Sequence, residues 1–323
     1  MTMEKTSRFW VVGVLTLAAV TLSGCKVSAT SGDRYYDRDE QHFSRGYFLD
    51  ARDTGRYFPE GRWSLNYETE ACIGDTLYFE TADRRVRVYG SPAYSENTFR
   101  AAATEVSTRI DGVLNLFRMS WRDFVDERSS AVPYPEQVIA CLSPRVSSSN
   151  LASGTLAALA VAPYHRSWPY EAGQIFTHEL AHFVQENLSR YNAATSLLPY
   201  WFAEGQAALV AGDPVAPAYR HYDYDPLRDA TRNDASNVSY RFEHYALAYR
   251  YLERANGALE MTLLLDLVQF MDWTGDYRGV ISSGESRAFV EAFDAMELVD
   301  HRGRYLSFAR FRADYHSLVG AGG

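Results

Sequence analysis

Thr177-His178-Glu179-Leu180-Ala181-His182 is the stretch on which the reading of this 323-residue chain turns. Two histidines four apart on a helix lie on one face, a turn above each other, so both imidazoles can reach a single metal ion. Glu179, beside the first of them, is placed to take a proton from a water that such an ion activates. The flanks are apolar and helix-forming, with Ile175 and Phe176 on one side and Leu180, Ala181, Phe183 and Val184 on the other. A buried helix is where the field of an ion is least diluted by solvent.

Pro199-Tyr200-Trp201-Phe202-Ala203-Glu204-Gly205-Gln206-Ala207-Ala208-Leu209 reads as a second helix that opens after a proline and carries one acid among apolar neighbours. A carboxylate there is costly to bury without a cationic partner, and Zn²⁺ is the strongest partner available. Glu204 follows His182 by 22 residues. That is room for one helix to end, a loop carrying Asn187, Ser189, Asn192 and Ser196 to turn, and the next helix to pack back. His178, His182 and Glu204 are then three ligands with a fourth position left to water, the arrangement of a catalytic zinc. The alternative for Glu204 is an ordinary helix acid with its head in solvent.

The pairing of H-E-L-A-H with W-F-x-E-G resembles the gluzincin metallopeptidases, in particular the bacterial envelope branch called peptidase MA-like, over roughly residues 75–318. The resemblance implies an α+β fold with a thermolysin-like zincin core: a small mixed sheet above the motif helix, and a helical C-terminal lobe. It implies one Zn²⁺ per chain, held by His178, His182 and Glu204. It also implies a zinc metallopeptidase that hydrolyses peptide bonds with zinc-activated water, Glu179 being the general base. In such enzymes the strand before the motif helix lines the cleft and pairs with the substrate backbone. Leu156–Ala162 is the candidate here, with a plain core strand as the alternative.

The pattern slips twice. The oxyanion donor of the family is often a tyrosine at the start of the helix resembling Tyr245–Leu252. Aligned on Tyr251-Leu252, that position is Phe242, which cannot donate. Tyr245 and Tyr240 are equal candidates for the role, His244 is a third, and a tyrosine that merely packs the core stands beside them. Some members also carry, four residues after the glutamate ligand, an acid that orients a histidine. Here that position is Ala208, so another carboxylate or a backbone carbonyl must do so.

Residues 1–25 read as a lipoprotein signal peptide. Lys5 and Arg8 make a positive start, Phe9 to Val20 is an apolar run too short for a comfortable span, and Leu22-Ser23-Gly24-Cys25 matches a lipobox. Cys25 would carry the lipid, tethering an extracytoplasmic protein to a bacterial membrane through its N-terminus; an uncleaved anchor helix is the alternative. Lys26 points, by analogy with enteric sorting, to the outer membrane. Cys72 and Cys141 remain, an even pair in an oxidising space, and read as a disulfide or as two buried thiols.

The formal net charge is −9, and loss of the leader brings it to about −10. That argues against nucleic acid as a partner; a peptide or protein substrate is what the resemblance implies. Residues 26–63 read as a spacer, followed by a domain over 64–320, divided into a sheet and motif-helix lobe (64–190) and a helical lobe (191–320).

Within the domain, Thr76–Thr81, Arg85–Tyr89, Gln137–Leu142 and Leu156–Ala162 read as strands, and Phe99–Phe124 as one long helix. A polar stretch over Asp213–Ser239 reads as a loop facing the cleft. Helices are expected over Tyr245–Ala255, Leu259–Trp273, Glu285–Met296 and Tyr305–Leu318. Two other functions share these residues: an inactive gluzincin-fold lipoprotein that acts as a binding or assembly factor, and a zinc hydrolase of non-peptide bonds such as an envelope amidase.

Overall fold

The computed structural model describes residues 43–58, 72–127, 134–143, 152–154, 158–161, 173–189, 198–219, 224–229, 238–271 and 286–322. The leader, Cys25 and most of the expected spacer lie outside them. Among the described residues no helix is long and apolar enough to cross a membrane.

Among the described residues six strands form one mixed sheet: β1 (Gly46–Asp50), β2 (Leu77–Thr81), β3 (Val86–Gly90), β4 (Val138–Leu142), β5 (Ala152–Gly154) and β6 (Leu159–Val161), in the order β1-β2-β3-β4-β6-β5. β3, β4 and β6 run parallel, whereas β1 and β2 at one end and β5 at the other are antiparallel to their neighbours. The central strands are buried on both faces, and their side chains alternate between two cores as the pleat requires. Val86, Val88, Val138, Ala140 and Leu142 enter the main core. Tyr89, Ile139 and Cys141 face a smaller core with Ala51, Phe58 and Cys72. A disulfide joins Cys72 to Cys141 there, with their Cα atoms 5.0 Å apart.

The expected spacer is in part folded. β1 and the short helix α1 (Ala51–Thr54) fall inside residues 26–63 and close the sheet edge and its second face. Tyr89 Oη donates to Arg56 O at 2.7 Å and Tyr134 Oη to Tyr57 O at 2.7 Å, which fastens the segment. Backbone pairing with β2, rather than a clean apolar alternation, makes Gly46–Asp50 a strand, so composition concealed it. β5 was concealed in the same way within a Ser- and Gly-containing turn. It changes the reading of β6, which pairs with β4 on one side and β5 on the other and so presents no free edge within the sheet. The outer strand on that side is β5.

The single helix expected over Phe99–Phe124 is two, α2 (Glu96–Leu116) and α3 (Trp121–Glu127). Ser95 caps the start of α2 by accepting from Thr98 N. Arg118 turns left-handed (φ 57°) at its end, and Met119 N bonds back to Leu114 O at 2.9 Å. Ser120 and Asp123 then form a reciprocal capping box that starts α3 afresh. Leu116, expected on the apolar face, is exposed, whereas Val113, Leu114 and Phe117 around it are buried, so it lies on the other face of the helix.

The remaining helices are α4 (Gly173–Ser189), α5 (Tyr200–Ala211), α6 (Pro226–Asp229), α7 (Val238–Asn256), α8 (Ala258–Val268), α9 (Arg287–Ala295) and α10 (Phe308–Gly322). The fold is thus α+β, with α2 and α4 against the sheet and a helical C-terminal half beyond. α7 begins seven residues before the expected Tyr245 and takes up the end of the expected loop.

Candidate metal centre

α4 carries His178, Glu179 and His182 on a helix buried along most of its length. Ile175, Phe176, Leu180, Phe183 and Val184 commit the other faces to the core, so the histidine face is turned toward the helical half. α5 opens at Pro199, whose fixed φ suits a helix start, and carries Glu204 in its second turn. Gly205 decides how close α5 comes to α7. A Cβ there would lie 2.3 Å from Tyr245 O and 3.1 Å from Tyr249 Cβ. The glycine lets the two helices touch and fixes the depth at which its neighbour Glu204 enters.

His178, His182 and Glu204 converge. His178 Nε2 lies 3.1 Å from Glu204 Oε2 and 3.1 Å from His182 Nε2, and His182 Nε2 lies 3.4 Å from Glu204 Oε2. Their ligand atoms all fall within 4.8 Å of one another, a group that could hold a metal ion. Glu179 is buried beside them, and its charge acts on His182. Burial opposes the Glu204 carboxylate, but the two imidazoles outweigh it and hold its pKa at about 2. Burial likewise opposes a charged His182, yet Glu204 raises it. The site thus draws positive charge to itself.

The outer partners were not legible in the sequence. Gln185, one turn below His182, donates through Nε2 to Ala203 O at 2.9 Å, which turns its Oε1 toward His182 Nδ1 at 2.8 Å. Oε1 can only accept, so the His182 proton sits on Nδ1 and the Nε2 lone pair faces Glu204. Gln185 Nε2 also donates to Gln206 Oε1, and Gln206 Nε2 donates to Tyr249 Oη at 2.7 Å, so α4, α5 and α7 are tied through one chain of amides. For His182 the orienting group is therefore a side-chain amide rather than a carboxylate or a backbone carbonyl.

A carboxylate does face the other histidine. Asp213 Oδ2 stands 3.4 Å from His178 Nδ1, and Gln174 Nε2 donates to Asp213 Oδ1 at 2.5 Å. Asp213 reaches it because α5 ends in a Schellman turn. Gly212 is left-handed (φ 75°), and Asp213 N returns to Ala208 O at 2.9 Å. The position missing at Ala208 is thus supplied five residues later by the turn.

Phe242, at the position where a tyrosine was sought, lies against the centre with its ring 6.3 Å from that of His178. Tyr245 is wholly buried, packs on Tyr200 and Phe242, and shares a hydrogen bond with Tyr224 at 3.3 Å. Tyr240 lies in the first turn of α7, and its side chain falls outside the described residues. His244 is buried with its ring 5.5 Å from that of Tyr224. Neither a scan of protein-family models nor a search of curated proteins finds a match to this chain.

Proposed function

We propose that this chain is a zinc-dependent peptidase, held at the outside of a bacterial membrane by a lipid on Cys25. The observation that carries the metal is the orientation of lone pairs. Gln185 fixes the His182 proton on Nδ1, and Asp213 favours the same tautomer for His178, so two imidazole lone pairs and a carboxylate oxygen face one another at 3.1–3.4 Å. Two imidazole nitrogens and a carboxylate oxygen gathered this closely favour a cation among them. Ligands about 2.0–2.1 Å from a tetrahedral zinc are about 3.3 Å apart, close to the separations found. Two imidazoles and one carboxylate also suit a borderline ion better than calcium or magnesium.

When bound, the ion supplies Lewis acidity toward water and toward a substrate carbonyl. The chain's own residues do the rest. Glu179 takes the proton of the attacking water and delivers it to the departing amine as the C–N bond breaks. Asp213 and Gln185 hold the imidazoles in register. The enclosure of Glu179 and Glu204 keeps their fields from being screened.

A second reading, a binding or assembly factor that keeps the ion but lacks turnover, draws support from Phe242 beside His178. Metal analysis with a peptide-library digest separates the two. One zinc per chain is expected, lost in His178→Ala and kept in Glu179→Gln, with hydrolysis in the parent only. Full activity of Glu179→Gln would remove the general-base assignment, and a metal-free parent would remove the enzyme.

A further inference from the structure

The chain of buried amides beside His182 ends at a tyrosine on another helix. Gln185 Nε2 donates to two acceptors, Ala203 O at 2.9 Å and Gln206 Oε1 at 2.8 Å, while Gln185 Oε1 faces His182 Nδ1 at 2.8 Å. Gln206 Nε2 in turn donates to Tyr249 Oη at 2.7 Å. We propose that Gln206 and Tyr249, neither of them a ligand, are positioning residues of the candidate metal centre and set which His182 nitrogen faces the ion. The proposal rests on the zinc reading above and extends it to residues that reach His182 only through Gln185.

The direction of each hydrogen bond carries the argument. A carbonyl only accepts, so Ala203 O fixes the nitrogen end of the Gln185 amide. Turned over, that amide would set its oxygen against two acceptors, Ala203 O and Gln206 Oε1, and offer hydrogens to His182 Nδ1. The ring would then carry its proton on Nε2, the nitrogen beside Glu204, and would have no lone pair there for an ion. Gln206 opposes this turn only while its own oxygen faces Gln185. Gln206 reverses only if Tyr249 changes from acceptor to donor, so the sense of the chain changes as a whole or not at all.

Burial makes the device strict. Gln185, Gln206 and Tyr249 are each no more than 2% exposed, so bulk solvent does not replace a lost hydrogen bond. Ala203 and Gln206, three apart, lie on one flank of α5, and both meet Gln185 of α4. Tyr249 is held by α5 as well: its ring packs on Phe202 at 5.3 Å between centres, and its Cβ is 3.1 Å from where a Cβ of Gly205 would lie. Burial first, then the charge of Glu253, pushes the Tyr249 hydroxyl pKa well upward, so the group that Gln206 meets is neutral. Helix α5 thus supplies one ligand, Glu204, and sets a second, His182, on the helix facing it.

The test compares the parent with Gln206→Leu, Gln206→Glu and Tyr249→Phe by two readouts. One is the His182 tautomer in the zinc-free protein, from the ¹⁵N shifts of its ring nitrogens at a pH where the ring is neutral. The other is zinc affinity, from competition with a chelator. The parent should carry its proton on Nδ1. In Gln206→Leu part of the population should move to Nε2, and zinc affinity should fall about 10–100-fold. Tyr249→Phe should move both readouts the same way by less, because Ala203 O still holds Gln185. Gln206→Glu should keep the parental tautomer and bind zinc no more weakly, since both carboxylate oxygens accept, one from Gln185 and one from the Tyr249 hydroxyl. A folded Gln206→Leu with the parental tautomer and an affinity within about threefold of the parent overturns the proposal. So does a loss of zinc with the tautomer unchanged, which would make Gln206 scaffold alone, or a shifted tautomer in Gln206→Glu. Should Gln206→Leu not fold, Tyr249→Phe decides, and a parental tautomer in it overturns the proposal. A parent that takes up no zinc overturns the metal reading and this proposal with it, whereas a zinc-binding parent with an indifferent Gln206→Leu overturns this proposal alone.

Discussion

Asp213 acts on the candidate metal centre from a helix-ending turn, and its effect is carried by one proton. Its carboxylate faces His178 Nδ1, keeps the proton there, and so leaves the opposite nitrogen as a lone pair beside Glu204. Gln174 holds the second carboxylate oxygen, which limits the acid to one orientation. In Asp213→Asn the charge is lost and the amide can present a hydrogen to the ring. Zinc affinity is expected to fall 10–100-fold, measured by competition with a chromogenic chelator, while the fold remains. Parental affinity in that variant would mean that the His178 tautomer is set elsewhere. Glu179, His178 and His182 were legible because their spacing is local to one helix. Asp213 and Gln185 were not, since the residue facing each imidazole depends on where a helix ends and which amide turns toward it.

At the scale of elements, the join between α5 and α7 positions the third ligand. Gly205 is the contact point, and a methyl group there would meet the Tyr245 carbonyl at 2.3 Å, which requires the helices to part. Gly205→Ala is expected to cost about 1–3 kcal/mol of stability as overpacking, read by chemical denaturation. It should also weaken zinc binding, because Glu204 moves with its helix. Unchanged metal affinity in a destabilised Gly205→Ala would separate packing from ligand placement. The motif W-F-x-E-G thus has a physical reading: Trp201 and Phe202 anchor α5 in the aromatic core with Phe289 and Phe311, Glu204 enters the site, and Gly205 admits α7. The boundary between α2 and α3 was available to sequence reasoning, since Ser120-x-x-Asp123 is a capping box inside the apparent helix.

Across the whole molecule, the second face of the sheet is held by a buried polar cluster and the Cys72–Cys141 disulfide, on the opposite side from the main core. Arg87 is fully buried, donates to Glu80 at 2.7 and 3.1 Å and to Tyr89 Oη at 3.1 Å, and lies under the rings of Tyr78 and Tyr134. Burial works against the Glu80 carboxylate, but Gln137, Arg87 and Arg56 together lower its pKa below the ordinary value. Its contribution is therefore present above the unfolded-state pKa of about 4.3 and is lost as pH falls through the lower folded value. Glu80→Gln should cost about 3–5 kcal/mol at neutral pH, because Arg87 stays buried without its counter-charge. The loss should shrink as the pH drops below about 4, followed by urea denaturation at a series of pH values. A pH-independent difference would show that the carboxylate charge is not what matters.

The sequence by itself determined the motif helix, the histidines that it turns toward Glu204, and the mixed α and β character, because helical period and the cost of a buried acid are local properties. Tertiary structure alone decided that Gly46–Asp50 and Ala152–Gly154 are strands, that β6 is enclosed, and that Asp213 and Gln185 face the two histidines. Those outcomes depend on hydrogen bonds and ring contacts between segments distant in the chain, where the partner, and not the residue's own neighbours, sets the conformation.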